Sequence, residues 1–288
     1  MTEGNLVWLA SYPKSGNTWF RLFMAALTHG KTEIDLESIS KTEIASSREW
    51  FLKDSGLDST ALTLQQINRI RPDIYRHHAK SQQSLSFHKV HDAYIYNDVG
   101  APLFPPEISA RVLYLIRNPL DVCVSFAHHA GHDDYDKMLL NMMDPEYAMA
   151  KTTYRPADQL QQQLRSWSQH VDSWELDSGI ACLVIRYEDM KSDALAAFTR
   201  AARFLGLPSD AERIKQAIDA CAFQKLKKQE LEKGFKERPK KSKSFFREGE
   251  VGTWRQKLDK ALVEKFILSS RETLLRHGYI DENNQPVF

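Results

Sequence analysis

Leu6 to Ala10 (LVWLA) is an unbroken apolar run that stops at Ser11-Tyr12-Pro13. It is too short for a helix and ends at a proline, so it reads as a buried strand. From Asn17 onward, Trp19, Phe20, Phe23, Met24 and Leu27 recur at helical spacing, with Ser15-Gly16-Asn17 as the helix start. The first unit is therefore strand, short loop, helix. Two more apolar runs read as buried strands, Val112 to Ile116 and Ile180 to Ile185. The first leads through Arg-Asn-Pro into a helical stretch from Leu120, the second through Arg-Tyr-Glu-Asp into one from Ala194 to Leu205. Leu85 to Lys89 is a weaker strand, and helical patterns occupy about 158–177, 209–222 and 258–277. Apolar strands alternating with helices predict an α/β fold, a central, mainly parallel sheet flanked by helices on both faces.

Two stretches resist this scheme. Residues 31–80 are polar and helix-leaning, with no strong strand. Residues 225–247 carry ten Lys/Arg against three Glu, a local excess of seven positive charges. No repeat or low-complexity linker separates the 288 residues, so one domain over 1–288 is the simplest expectation.

Composition changes this picture little. The formal charge of the whole chain is only +1, which argues against a nucleic-acid partner. Cys123, Cys182 and Cys221 are far apart and lack zinc spacing. The N-terminus has no basic stretch of the signal-peptide kind, and no apolar run approaches the length of a membrane span. A cytoplasmic protein without a transmembrane segment is expected.

The chemistry concentrates at strand ends, where open α/β sheets bind ligands. After the first strand comes Tyr12-Pro13-Lys14-Ser15-Gly16-Asn17-Thr18-Trp19. Free backbone N–H groups at the following helix N-terminus favour an anion there. Lys14 adds a full charge, and Ser15, Asn17 and Thr18 add hydrogen bonds. In a P-loop kinase the lysine follows the second glycine, whereas Lys14 precedes Gly16 by two residues. YPKSGNTW resembles the 5′-phosphosulfate loop of sulfotransferases that use 3′-phosphoadenosine 5′-phosphosulfate (PAPS). The family pattern is close to YPKSGTTW, and Asn17 is the one departure.

Arg117-Asn118-Pro119-Leu120-Asp121-Val122-Cys123-Val124-Ser125 follows another strand, and an arginine there can grip a phosphate with two donors. Through His128 this string resembles the family's 3′-phosphate motif, RNPxDVxxSxxH. The resemblance implies that Arg117 and Ser125 hold the 3′-phosphate. Arg247 to Leu258 is similar to RKGxxGDWKxxL, with Glu248 in place of lysine and Thr253 in place of aspartate. By that likeness Arg247, Glu248 and Gly249 lie against the nucleotide, with Glu248 turned outward. Trp19, Tyr187 and Phe223 map onto adenine contacts. The likeness runs from residue 7 to about 258 and implies the P-loop NTPase-like sulfotransferase architecture.

For the reaction, the resemblance implies in-line transfer of a sulfuryl group from PAPS, leaving adenosine 3′,5′-bisphosphate (PAP). Lys14 would stabilise the leaving oxygen, resting on Ser125 beforehand, with no metal required. Phe87-His88-Lys89-Val90-His91 resembles the family's K-[TS]-H element, so His91 is the expected base and Lys89 lies beside the sulfuryl group. His88, His128 and His129 are its rivals. The acceptor is expected to be a small molecule, lipid or natural product with a hydroxyl or amine. Tyr75, His77, His78, Met138, Met142 and Met143 are candidate lining residues, although the Met run also suits a packed helix. Two other readings stand open: a P-loop-type kinase, and a PAPS- or PAP-binding protein without catalysis. The family's KxxxTVxxxE dimer motif is not found, which leaves monomer and homodimer both open.

Overall fold

The computed structural model describes residues 4–30, 33–151, 158–239, 241–242, 244–247 and 249–288. Its elements begin with β1 (Leu6–Ala10), α1 (Asn17–His29), β2 (Glu43–Ile44), α2 (Arg48–Ser55), α3 (Leu64–Ser81), β3 (Ser86–Val90) and β4 (Ser109–Ile116). Next come α4 (Pro119–Ala130), α5 (Tyr135–Met143), β5 (Ala148–Met149), β6 (Gln162–Gln163), α6 (Trp167–Asp172) and β7 (Cys182–Arg186). The last are α7 (Tyr187–Ser192), α8 (Ala194–Leu205), α9 (Ala211–Ala220), α10 (Phe223–Lys233), α11 (Lys260–Ser269) and α12 (Arg271–Arg276). The chain builds two compact units, one from Met1–Tyr12, Thr42–Tyr114 and Asp144–Val184, the other from Pro13–Lys41, Leu115–Met143 and Ile185–Phe288.

The first unit contains nearly all of a five-stranded sheet in the order β2-β3-β1-β4-β7. β1 pairs in parallel with β3 and β4, and β2 pairs in parallel with β3. The mainly parallel sheet flanked by helices is thus the class the sequence pattern predicts. All five residues of β1 are buried, as its unbroken apolar run requires. β3 is different, because Ser86, His88 and Lys89 are polar. It forms because it completes the hydrogen bonding of both β1 and β2, and it runs one residue later than the predicted 85–89.

Residues 31–80 yield α2, α3 and the two-residue β2. The capping box of Thr63 and Gln66 opens α3, which continues through Pro72. A proline there cannot bond to Asn68 four residues back, and the freed carbonyl accepts from Asn97 Nδ2 at 3.3 Å. The buried pair of Arg71 and Asp92, 2.7 Å apart and each 1% exposed, ties α3 to the segment after β3. The predicted helix over 158–177 is partly corrected. Ser166 accepts from Gln169 N and starts the helix at Trp167, while β6 and a left-handed Arg165 occupy the preceding residues.

In the second unit α1 packs on α9, and Phe23 meets Phe198 of α8 with ring centres 4.2 Å apart. Arg21, 1% exposed, donates to Glu237 Oε1 at 2.8 Å and to the Ile39 carbonyl at 3.1 Å. The basic stretch 225–247 is therefore helical in its first half and anchored to α1 beyond it. The predicted helix at 258–277 is broken at Ser270 into α11 and α12.

His88 is completely buried on β3 between Trp50, stacked at 5.1 Å, and Trp8, at 5.4 Å. Neither ring nitrogen has a hydrogen-bond partner among the described residues. Burial pushes its pKa from 6.5 down to about 3, and burial lowers fully buried His170 to about 4. Below about pH 6.5 the unfolded chain binds these protons and the folded chain does not, so stability falls with pH. Each site contributes at most about 1.4 kcal/mol per pH unit to that slope. Urea unfolding midpoints should therefore drop between pH 7.5 and 5, and His88→Phe should flatten the fall. An unchanged slope in His88→Phe would refute this origin.

Candidate active site

The chain leaves β1 and enters α1 through Ser11 to Gly16. Lys14 (φ 70°) and Gly16 (φ 98°) both adopt left-handed backbone conformations. For the lysine this costs about 1–3 kcal/mol. At Gly16 a Cβ would also stand 3.0 Å from both the Tyr187 ring and the Met190 methyl. No side chain caps α1, whose N-terminal end of the helix dipole favours negative charge. The Ser15 hydroxyl is buried and has no hydrogen-bond partner among the described residues. A buried, unsatisfied donor beside an uncapped helix N-terminus suits an anion. Asn17 and Thr18 are buried in the same turn. The ammonium of Lys14 lies 4.0 Å above the Phe245 ring and 3.5 Å from His129 Nδ1.

Arg117 closes β4 in the same unit. Its guanidinium donates to the Lys14 carbonyl at 3.3 Å and the Glu250 carbonyl at 2.9 Å, and sits 4.4 Å over the Tyr187 ring. Its buried Nε has no acceptor among the described residues. Asn118 caps α4 by accepting from Leu120 N, with Pro119 at the first helical position. Glu188 accepts from Asn118 N and from the Tyr279 hydroxyl, both at 2.9 Å, and burial raises its pKa. Ser125 lies half-buried on α4.

Asp121 does not pair with Arg117. Its buried carboxylate accepts from Gly252 N at 2.7 Å, Thr253 Oγ1 at 3.1 Å and Trp254 N at 3.3 Å. One strand-to-helix turn thus holds the third motif at two points, Arg117 at Glu250 and Asp121 at residues 252–254. The same loop carries Arg247, whose carbonyl accepts from Lys227 Nζ at 3.0 Å. Glu230 of α10, 4% exposed, accepts from Phe245 N at 2.6 Å and Phe246 N at 2.9 Å.

The expected adenine contacts gather around Gly249. Tyr187 donates to its carbonyl at 3.0 Å, and a Cβ on Gly249 would stand only 2.8 Å from the Phe223 ring. Trp19 meets Tyr187 edge-on at 5.9 Å. Burial raises the Tyr187 pKa, and the Arg117 cation opposes that rise. Of the nucleotide-side positions, Glu248 alone lies outside the described residues.

Lys89 and His91 belong to the first unit. Lys89 is 8% exposed at the end of β3, and half-buried His91 follows that strand. The Nδ1 atom of His91 lies 2.8 Å from the Ser11 carbonyl oxygen and 3.3 Å from the Ser11 hydroxyl. Since a carbonyl only accepts, Nδ1 carries the proton in neutral His91 and Nε2 is left as the acceptor.

Several candidates go to the core. His88 is enclosed by aromatic rings, and Tyr75 bonds Arg71 and the Ala45 carbonyl. Met138 and Met142 are fully buried on α5, while Met143 is half-buried. His78 is half-buried edge-on to Trp50, and His77 is exposed. His128 bonds the Tyr135 hydroxyl at 3.0 Å. Sequence reading missed Asp121 and Glu230 as anchors, because the amides they hold are 131 and 133 residues away for Asp121 and 15 and 16 for Glu230. An acid in the first turn of α4 signals only a favourable helix dipole.

A family model described as the sulfotransferase domain matches residues 5–276. The flavonol 3-sulfotransferase of Flaveria bidentis is 24% identical over 277 residues, which cover 91% of this chain and 79% of that protein. The luciferin sulfotransferase of Photinus pyralis is 21% identical, with 95% and 73% covered. Among solved structures, retinol dehydratase in complex with androsterone and the inactive cofactor PAP has a TM-score of 0.61 at 19% identity, covering 95% of this chain and 82% of that one. A mouse sulfotransferase complexed with PAP has a TM-score of 0.58 at 18% identity, covering 94% and 85%. A match that runs through both units, over the two strand-end motifs and the Arg247–Leu258 loop, places this chain in the sulfotransferase family.

Proposed function

We propose that this chain transfers the sulfuryl group of PAPS to a hydroxyl or amine of a small-molecule, lipid or natural-product acceptor, with PAP as the second product. The carrying observation is the turn before α1, with its left-handed Lys14, uncapped N–H groups and unsatisfied Ser15 hydroxyl. The orphan Nε of Arg117 and the Gly249–Phe223 approach fit the remainder of such a nucleotide. PAP in the complexes of two structural relatives supports the same reading. PAPS supplies an activated sulfuryl group with a phosphate leaving group.

In this reading the N–H groups of residues 15–19 hold the 5′ end, and the Lys14 ammonium neutralises charge growing on the bridging oxygen. Arg117, Ser125 and Arg247 grip the 3′-phosphate, while Trp19, Tyr187 and Phe223 take the base, with Gly249 admitting the close approach of the Phe223 ring. Lys89 adds a cation on the acceptor side. His91 removes the acceptor proton at Nε2, the nitrogen that its bond to Ser11 leaves unprotonated. No step is assigned to a metal ion, because the cationic side chains carry the charge.

We also read residues 1–288 as one functional domain, because the chain passes between the units after Tyr12, Lys41, Tyr114, Met143 and Val184, while the family model spans both. Among the described residues no helix is long and apolar enough to cross a membrane. The cytoplasmic setting is read from the likeness to relatives named cytosolic sulfotransferases.

Calorimetry should show PAP binding at least about a hundredfold more tightly than AMP, since a desolvated charge-assisted pair is worth about 1.5–3 kcal/mol and several are lost together. Arg117→Ala should erase most of that difference, and equal affinities in the unmodified chain would end the nucleotide assignment. In steady-state assays His91→Ala should lower kcat by about 10²-fold or more with PAP affinity unchanged. Lys14→Ala should lower kcat more than it weakens PAP binding. Full turnover in either variant would remove that residue from the mechanism.

A further inference from the structure

We infer that His170 and Tyr114 are positioning residues for the reaction, holding the peptide that carries His91. The inference rests on His91 being the base, as proposed above. The His91 imidazole is fixed on one side by the Ser11 carbonyl. Its main chain is fixed on the other, because His170 Nε2 lies 3.0 Å from the His91 carbonyl oxygen. That bond requires the His170 proton on Nε2, which leaves Nδ1 as an acceptor. The Tyr114 hydroxyl lies 2.8 Å from this Nδ1 and donates to it. His170 is entirely enclosed and stays neutral, so only one tautomer satisfies both neighbours.

The arrangement extends by one residue. Four positions after His170, Trp174 Nε1 donates to the Asp92 carbonyl at 2.9 Å. One helical segment thus holds two successive carbonyls, those of His91 and Asp92, from side chains one turn apart. That turn widens into a π-helix at Ser173–Asp177, a distortion common at functional positions. Tyr114 stands on β4 opposite Ala10 of β1, and Ser11 directly follows Ala10. Both fixed points of His91 therefore trace back to the same paired strands. A buried imidazole needs both nitrogens paired, and here the Tyr114 bond to Nδ1 fixes the tautomer that aims the Nε2 proton at the His91 carbonyl.

The test uses the full chain saturated with PAP. Nitrogen-edited NMR of ring-labelled histidine, assigned with His91→Ala, follows the His91 Nδ1–H proton bonded to Ser11. In Tyr114→Phe and His170→Phe this proton should exchange with solvent roughly tenfold faster, the loss expected from one weakened hydrogen bond. His170→Gln restores a donor near Nε2 and should return most of the protection. Turnover of PAPS with 2-naphthol should fall roughly tenfold in the two Phe variants, with KM for PAPS within about twofold. Unchanged exchange in His170→Phe, or equal exchange in the Gln and Phe variants, would overturn the inference. If exchange responds as expected while His91→Ala keeps full turnover, the positioning stands and the base assignment falls.

Discussion

The chain passes from β1 to α1 within Ser11 to Gly16, which requires left-handed backbone at Lys14 and Gly16. Gly16 meets that demand easily, whereas Lys14 does so at a cost in backbone strain. The strained turn leaves the N-terminal amides of α1 without a side-chain cap. It also presents the Lys14 carbonyl to Arg117 and the Lys14 ammonium to Phe245 and His129. One local constraint thus sets both the uncapped start of α1 and the position of the cation before it.

The second strand-to-helix turn holds the third motif in place. Arg117 and Asp121, four residues apart in sequence, fasten Glu250 and residues 252–254 through backbone groups. Asp121 is buried yet satisfied by three donors, so its charge does not have to be neutralised by a cation. Arg117 keeps its guanidinium over Tyr187 with one nitrogen unfilled. Departures from the family pattern at Thr253 and Glu248 fall on or beside this loop. Thr253 donates its hydroxyl to Asp121, a bond that an ionised aspartate could not donate.

A net charge of +1 hides how the cations are distributed. Several charges of the basic stretch are spent inside the second unit, Lys233 on Asp35, Lys236 on Glu37 and Arg238 near Glu230. The exposed pairs add little stability, and they leave the positive excess less diffuse than the sequence count suggests. In the first unit polar groups serve rigidity. Arg71 and Asp92 pair in the core, and the segment after β3 that carries His91 is held from α3 and α6.

Sequence alone determined the repeating strand–loop–helix plan, the parallel sheet, and the motifs after β1 and β4. These are local signals: an apolar run, a proline, a glycine and a cation within about ten residues. β3 could be read only weakly, because a polar strand is stabilised by its neighbours on both sides more than by its own composition. The 158–177 segment was misread at its start because Ser166 and Gln169 set the helix boundary through a capping box, which helical periodicity does not register. The burial of His88, Tyr75 and Met142 was decided only by the tertiary structure, as were the partners of Asp121 and Glu230. Residue type can state that a carboxylate or imidazole needs a partner, but only packing brings a specific donor within 3 Å of it. His91 shows both parts: its place after a strand was legible in the sequence, while its tautomer depends on a Ser11 carbonyl 80 residues away.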